Sequence, residues 1–530
     1  MSSNEEPEAL PPAAESQPTP PPALTPAAED KKSDNPELDL HKLQSLPAEQ
    51  QELFLLTFVT DLTKYVRQLD ADDCSAQQFY LKKEIFRIIN LAAPQPSRVI
   101  RNNLGQCLAH VFTHGDRKLL FETINDLAGV ISGAKSKSDT ETRAKHAAVV
   151  CLGDVYAAAG DSAIGLHQLC CTALVKLLKS SSNNAGLRAA IFTALVKMTG
   201  IVEGSMDESI ARDIWKQGRN HASSDKGPLV VVAASQCLKA LLKHTIYFRN
   251  SSDFDRLETA MFKAFDSSSS QVRHAAASCL AEAYAHGYSE SASSKPTKNK
   301  KTNPKLKRQS TLPGMVGDDD EIPSRTASPA PGAKRKEDLA LSLGEILRQL
   351  AAQYVKPTTP NRARAAIGVC FGKLFRRLGE SVVEPNYLLI VDTLTTDILG
   401  NTGIANNRYR LLISRRIIDT LLHDVIGNKI LGESGQIKIA EVLINSILKN
   451  YPAALPERPE PSKQTLITAL RAVAALIQSL GSATNKFAES CRDGLLQVFQ
   501  HPSYSVQVFA SQWSFRFSPV GEIPKGDASA

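Results

Sequence analysis

The chain has 530 residues, of which 42% are hydrophobic, 22% charged and 6% aromatic, and its formal net charge is +7. So small a surplus over this length does not demand a nucleic-acid partner. No stretch approaches the roughly 18 apolar residues of a spanning helix, and the densest run covers only Pro228 to Ala234. The amino terminus resembles neither a secretory signal nor a transit peptide. We therefore expect a cytosolic protein that is not integral to a membrane.

Parts of the chain are predicted to be disordered and the rest helical. Residues 1–38 are acidic and hold nine prolines, which forbid a helix and leave little apolar surface to bury. Residues 288–337 are dominated by Ser, Thr, Pro, Gly and Lys, which predicts a disordered insertion. Elsewhere apolar residues recur at three- and four-residue spacing, without an alternating strand pattern. The sequence predicts helical segments at 39–287 and 338–517 and an unstructured end at 518–530.

The predicted insertion is the most basic part of the chain. It contains eleven basic and six acidic residues, so +5 of the net +7 lies in it. A cationic loop can contact acidic lipids or nucleic acid, but the run from Lys298 to Arg308 has no aromatic residue to stack on bases. A solvated linker and a weak electrostatic contact both stay open. Ser310 and Ser328 follow arginines closely, so phosphorylation there, which would lower the charge, is a hypothesis.

One local pattern built on cysteine recurs along the helical segments. It reads cysteine, one apolar residue, two further residues and an apolar pair, as one face of a buried helix does. The pattern occurs at Cys107, Cys151, Cys237, Cys279 and Cys370. Their steps are 44, 86, 42 and 91 residues; halving the second, and subtracting the roughly 48-residue insertion from the last, both give about 43. The missing position falls at Ala194, and we call these six residues the rung positions.

A period of about 43 residues with two helices per unit is typical of HEAT and armadillo repeats. Each helical hairpin leaves apolar surface that only the next can cover, so we predict an all-α solenoid of about ten hairpins. The rung residue is expected on the second helix of each hairpin, facing the neighbouring repeat. A basic residue six positions earlier is expected to reach between repeats, and Val231 is the exception. The basic residues are Arg101, Lys145, Arg188, Arg273 and Arg364.

The other reactive side chains are interpreted as packing residues. Zinc sites need closely spaced ligands, whereas the rung cysteines stand one repeat apart, and cytosolic proteins rarely keep disulfides. Cys170 and Cys171 are helical neighbours that point about 100° apart. His110 and His114 have the spacing of a metal pair, but the sequence shows no third ligand, so they are interpreted as a helix end. Phosphate-binding and nucleophile motifs are absent, so we predict no enzyme activity, metal or cofactor.

Several motifs carry a resemblance to a known family. Residues 145–160 read KHAAVVCLGDVYAAAG, and Ser414-Arg-Arg416 is followed by Leu431-Gly-Glu433 and Gln436-Ile437. His501-Pro-Ser503 then leads to Ala510-Ser-Gln-Trp513. In this order the motifs resemble the amino-terminal part of the HEAT repeat-containing protein 5, or Laa-type, family of clathrin adaptor accessory proteins. The similarity runs from about Leu81 to Trp513.

The resemblance implies a non-catalytic scaffold in vesicle-mediated transport. Such a scaffold acts with clathrin adaptor complex 1 and smaller accessory subunits in sorting between the trans-Golgi network and endosomes. It would be cytoplasmic and would reach those membranes peripherally, through its partners, without nucleic acid or a small-molecule substrate. A nuclear transport receptor or another HEAT-repeat adaptor is the alternative, because fold does not fix function. Members of the family are several times longer, which is compatible with a fragment of a longer protein.

Overall fold

In a computed structural model, residues 36–133, 138–181, 183–202, 204–294, 339–453 and 457–517 are described. These residues are mostly helical and contain no strand, only an isolated bridge between Tyr288 and Leu341. The prediction of an all-α chain is confirmed. Most of the predicted tail and insertion, including Ser310 and Ser328, and the predicted end at 518–530 lie outside the described residues.

The described part of the chain forms 22 α-helices. They are α1 (Leu40–Ser45), α2 (Ala48–Gln68), α3 (Ala71–Ile89), α4 (Arg98–His114), α5 (Arg117–Ser132), α6 (Asp139–Ala159), α7 (His167–Ser180), α8 (Ala185–Thr199), α9 (Glu208–Ser224), α10 (Pro228–His244), α11 (Ser251–Ala264), α12 (Ser270–Gly287), α13 (Leu343–Val355), α14 (Asn361–Leu378), α15 (Glu380–Val383), α16 (Tyr387–Asp392), α17 (Thr402–Ala405), α18 (Arg408–Asp419), α19 (Glu433–Leu443), α20 (Lys463–Leu480), α21 (Ala488–Val498) and α22 (Tyr504–Phe517). Helices α16, α18 and α19 continue as π-helical turns at Thr393–Leu399, Thr420–Gly427 and Ile444–Leu448.

Side-chain caps set the first residue of many of these helices. In each cap, a carboxylate, amide or hydroxyl oxygen accepts a hydrogen bond from a backbone N–H that has no partner inside the helix. At α13 the cap is reciprocal, because the side chains of Ser342 and Glu345 each accept a hydrogen bond from the other residue's backbone N–H. Capping side chains that bond in this way include Asp39, Asp70, Ser97, Asp116, Asn184, Asp207, Asn250, Ser269, Asn401, Asn407 and Ser462.

The helices pair into hairpins whose second helices form one continuous layer. In the described residues the hairpins are α3–α4, α5–α6, α7–α8, α9–α10, α11–α12, α13–α14, α16–α18, α19–α20 and α21–α22, and α2 precedes them in the second-helix layer. This agrees with the predicted solenoid of about ten hairpins. From α4 to α14, neighbouring second helices contact each other more extensively than neighbouring first helices do. The stack therefore curves toward the second-helix layer.

Backbone hydrogen bonds join the described residues that flank 295–338. The amide of Leu341 donates to the carbonyl of Gly287 at 2.9 Å, and the amide of Ser289 donates to the carbonyl of Leu341 at 3.0 Å. Helix α12 consequently packs directly against α14 as the next second helix. The described structure thus continues beyond 287, where the sequence predicts that the insertion begins.

Near the other predicted boundary, the described residues begin at 36, within the predicted tail. Leu38, which the sequence assigns to the disordered tail, is 1% exposed. Its amide donates to Oε2 of Glu84 at 3.4 Å. Leu38 therefore contacts Glu84 of α3, a residue 46 positions later in the sequence. Composition averaged over the tail does not detect such a contact.

Within the described ranges, one helical stretch, Asp139–Ser180, is long and apolar enough by composition to cross a membrane. It comprises α6, a 3-10 turn at Gly160–Leu166 and α7, and half of its most apolar window is buried inside the solenoid. Leu152, Tyr156 and Cys171 are fully buried within this stretch. Its apolar composition is that of a core helix in a repeat, which must bury surface on both neighbouring repeats.

Candidate interaction surface on the second helices

All six rung positions lie on second helices and are at most 2% exposed. The series of rung positions extends one repeat further toward the amino terminus than the cysteine pattern in the sequence shows. The thiol of Cys107 donates to Oγ1 of Thr63 at 3.4 Å, and Thr63 lies on α2, 44 residues earlier. A small polar residue fills the same site there, so a cysteine-based search does not find it.

The rung thiols are expected to resist alkylation in the folded protein. Burial raises the pKa of Cys237 to about 12, and it also raises the pKa values of Cys151 and Cys279. Since the thiolate is the nucleophile, these protonated and enclosed groups are unreactive at neutral pH. Mass spectrometry after iodoacetamide treatment should show labelling of Cys237 only once urea has unfolded the protein. Rapid labelling of Cys237 without denaturant would contradict its placement in the core.

The basic residues before the rung mostly bind their own hairpin, which differs from the prediction that they reach between repeats. Arg273 donates to the carbonyl of Ser267 at 2.8 Å. Arg364 is 1% exposed and donates to the carbonyls of Tyr354 and Lys356 at 3.0 and 3.1 Å. Carbonyls at the end of a helix lack helical donors. These arginines therefore close the end of the first helix in their own repeat.

Arg188 reaches the next repeat, as predicted for the whole set. Its guanidinium forms two hydrogen bonds to Asp225, at 3.1 and 3.2 Å, and both side chains are less than a tenth exposed. Asp225 begins the turn before α10, the helix on which Val231 replaces the basic residue. The amide of Gly227 and the ring of His221 also bind Asp225, at 2.8 and 3.0 Å. Arg188 of the preceding repeat thus supplies the cation that the repeat of α10 lacks at Val231.

We use the name trough for one surface of the solenoid. It is formed by the exposed sides of the second helices α4, α6, α8, α10, α12 and α14. Small residues make its floor where neighbouring second helices approach closely. A Cβ atom built on Gly153 of α6 would lie only 3.0 Å from the Cα atom of Ala194 on α8. Larger residues at such positions would separate the helices and fill the trough. The same packing therefore places the helices together and leaves a recess above them.

The first recess of the trough is a cavity of about 310 Å³ between α4, α6, α8 and α10. Gly153 and Ala194 contribute to its floor, and Arg98, His146 and Lys197 line its sides. Burial and the nearby Arg101 lower the pKa of His146 to about 4, so its ring is neutral at physiological pH. Lys197 is ion-paired with Asp154.

The second recess is also cationic. A cavity of about 240 Å³ lies between α10, α12 and α14, and it is lined by Lys239, Lys373, Arg376 and Arg377 together with Glu282. Glu282 accepts a hydrogen bond from Nε of Arg377 at 2.9 Å. One carboxylate therefore faces four cationic side chains in the lining of this cavity.

Among the described residues, Lys373 has no acidic partner. No carboxylate in the described part of the chain forms an ion pair with Lys373, Lys239 or Arg376. The ammonium of Lys239 donates instead to Oγ of Ser278 at 3.0 Å. Partial burial, and then the positive charges of Lys239 and Arg376, lower the pKa of Lys373. A lowered pKa means that the site would gain from a bound anion.

Sequence analysis identified the rung residues but not the charged residues of the trough. A signal exists, because charged residues stand three positions after the rung at Asp154, Lys197, Glu282 and Lys373. Three residues later on a helix is nearly the same face, one turn along. Lys239, by contrast, stands two positions after Cys237 and is recognised only once the helices are placed together.

The repeated hairpins, the continuous second-helix layer and the shared core define the chain as a HEAT-type α-solenoid. Repeat solenoids of this kind present extended surfaces along their stacked helices.

No protein-family model matches the chain. It is 25% identical to Protein SWEETIE of Arabidopsis thaliana over 237 residues, which are 44% of this chain and 10% of that protein. The match thus covers about a tenth of that relative's length. The resemblance to the Laa-type family therefore depends on the sequence motifs alone.

Solved structures that are similar include the karyopherin Kap121p in several complexes. For Kap121p bound to the SUMO protease Ulp1p, the TM-score is 0.42 at 11% identity, covering 90% of this chain and 42% of that one. For Kap121p bound to RanGTP, the TM-score is 0.41 at 10% identity, covering 89% and 48%. An engineered protein gives a TM-score of 0.33 at 13% identity, covering 91% and 98%.

Proposed function

We propose that the chain is a non-catalytic scaffold for vesicle-mediated protein transport. In this proposal it acts with clathrin adaptor complex 1 in sorting between the trans-Golgi network and endosomes. It is cytoplasmic and reaches those membranes peripherally through its partners. The ordered series of Laa-type sequence motifs supports the trafficking role, and the open second-helix surface of the solenoid supports protein binding.

The observation that carries the binding part of the proposal is the cationic recess of the trough. Lys239, Lys373 and Arg376 converge there without acidic partners among the described residues, and the partial burial of Lys373 strengthens its interaction with an anion. An extended partner segment rich in Asp and Glu fits this chemistry. Its carboxylates would bind the cations, and its backbone would lie over the small residues of the floor. We therefore assign the trough to an acidic segment of a protein partner.

Affinity purification of the tagged full chain, followed by mass spectrometry, tests the trafficking role. Recovery of adaptor complex 1 and clathrin subunits is the expected result. Ran and nuclear cargo in their place would favour the nuclear transport alternative. Turnover of a substrate by the purified chain would contradict a non-catalytic scaffold.

Charge reversal in the trough is expected to weaken partner capture by about tenfold or more, since charge pairs at interfaces contribute on the order of 1.5 kcal/mol or more each. The double variant Lys373→Glu/Arg376→Glu places carboxylates where the partner's acidic groups would bind. Quantitative capture of adaptor subunits by wild type and variant, at two salt concentrations, measures the change. Raising the salt should weaken the wild type more than the variant.

A matched control is available on the opposite side of the same part of the solenoid. Arg256 and Lys263 are exposed on the first helix α11, so Arg256→Glu/Lys263→Glu makes the same change in net charge away from the trough. This control should capture partners as the wild type does. Equal losses in both double variants would mean that net charge, and not the trough, determines capture.

A further inference from the structure

Three metal-ligating side chains from two helices converge near the amino-terminal end of the solenoid. Cys74 lies in the first turn of α3, and His110 and His114 lie in the last turns of α4. One potential ligand atom of each residue lies within 4.8 Å of those of the other two. Sequence analysis set this histidine pair aside because no third ligand was visible. Cys74 is that ligand, brought into place by the antiparallel packing of α3 on α4.

The hydrogen bonds of the two histidines leave nitrogens available for a metal ion. Nδ1 of His114 lies 3.1 Å from the carbonyl oxygen of His110, so it carries the proton that it donates, and its Nε2 keeps a free lone pair. Histidines that bind metals usually donate their other ring N–H in this way. Nε2 of His110 is buried and has no hydrogen-bond partner among the described residues. A buried nitrogen without a partner is costly unless something binds it.

We propose that Cys74, His110 and His114 form a site for a divalent transition-metal ion, with zinc as the best fit. One thiolate and two imidazoles are ligands that zinc prefers. Bonds of about 2.0 to 2.3 Å to a tetrahedral zinc place its ligands roughly 3.5 Å apart. Small side-chain rotations close the cluster to that geometry. Water or another external ligand would take the fourth position.

The surroundings of the site suit a cation and permit its entry. Asp70, the N-cap residue of α3, and Asp73, in its first turn, add negative charge beside Cys74. Cys74 is buried and His110 partly buried, whereas His114 is exposed, so the ion enters from the solvent side of α4. On binding, the Cys74 thiol releases its proton to solvent and its sulfur donates an electron pair to the metal.

The position of the site indicates what the metal would do. The first turn of α3 and the last turn of α4 form the open end of a hairpin, opposite its connecting loop. A metal bound at the open end would join the two helices of this early repeat and stabilise it. This inference is independent of the trafficking role.

Cobalt and zinc titrations of the full chain, purified in the presence of a chelator, test the site. We expect one equivalent of Co²⁺ to produce a thiolate charge-transfer band that zinc then abolishes. Cys74→Ser should remove the band, and His114→Gln should weaken zinc binding at least about 10- to 100-fold. Zinc should also raise the apparent melting temperature of the wild type but not of Cys74→Ser. Absence of the band from the wild type overturns the proposal.

Two substitutions serve as controls for binding elsewhere. Cys491→Ser changes another buried cysteine, and His41→Gln changes another exposed histidine. Both variants should bind one equivalent of Co²⁺ or zinc with the affinity of the wild type. A band that persists in Cys74→Ser, or disappears in Cys491→Ser, would assign the metal to other residues and overturn the proposal. His114→Gln alters an exposed side chain, so it remains informative if Cys74→Ser fails to fold.

Discussion

Replacing Arg188 with methionine is expected to lower the free energy of unfolding by about 3 kcal/mol. Removing one partner of a buried ion pair costs roughly 3–5 kcal/mol, because it leaves the other charge without compensation. We expect a loss at the lower end of this range, because the ring of His221 and the amide of Gly227 still bind the carboxylate of Asp225. Methionine keeps much of the aliphatic volume of arginine. Urea titration of wild type and variant, followed by circular dichroism, measures the change.

Arg273→Met is the matched control, because Arg273 occupies the same position in its own repeat. Its guanidinium binds the carbonyls of Ser267 and Ser268 at a less buried site, where water can replace it. We expect a loss of about 1 kcal/mol. Equal losses of unfolding free energy in the two variants would mean that the ion pair of Arg188 with Asp225 stabilises the protein no more than the hydrogen bonds by which Arg273 closes a helix end.

The effect of Arg188→Met should depend on pH. Although burial alone opposes ionisation, the bonds from Gly227 and His221 and the charge of Arg188 together lower the pKa of Asp225 below its ordinary value. A lowered carboxyl pKa contributes stability above the unfolded value, about 3.9, and this stability is lost as the pH falls through the folded value. The difference between wild type and variant should therefore narrow below about pH 4. A difference that widens there would contradict the ionised pair.

Alanine substitutions at two glycines of α14 are expected to have opposite effects. A Cβ atom on Gly368 would lie 2.6 Å from Cγ2 of Ile417 on α18, closer than such atoms can approach. The side chain of Ile417 is β-branched and therefore stiff in a helix, so α14 and α18 would have to separate. We expect Gly368→Ala to cost about 1–3 kcal/mol.

Gly372→Ala, one turn later, is expected to stabilise the protein by about 0.5–1 kcal/mol. The nearest atom to its added Cβ would be Cδ2 of Leu421 at 3.4 Å, an ordinary contact. The gain comes from the lower backbone entropy of alanine in the unfolded chain. Thermal unfolding of the two variants against wild type tests the pair. Similar shifts in melting temperature with the same sign would contradict the close approach of α14 and α18.

Local patterns predict the repeat because its physical cause is local. The rung pattern at Cys151 or Cys279 records one face of one helix, and the repeat length follows from counting residues between such faces. Contacts between residues distant in the sequence have no such local cause. Leu38 and Tyr288 belong to segments whose composition favours disorder, and each is fixed by contacts with residues distant in the sequence.

The sequence by itself determines that this chain is helical, that it repeats about every 43 residues and that small residues pack between its second helices. Only the tertiary structure decides which side chains meet across repeats: Arg188 with Asp225, Lys239 with Lys373, and Cys74 with the histidines of α4. Helical periodicity specifies which face of a helix is buried. It does not specify which residue of a neighbouring helix lies opposite, because register and distance between helices depend on how all the interfaces pack together.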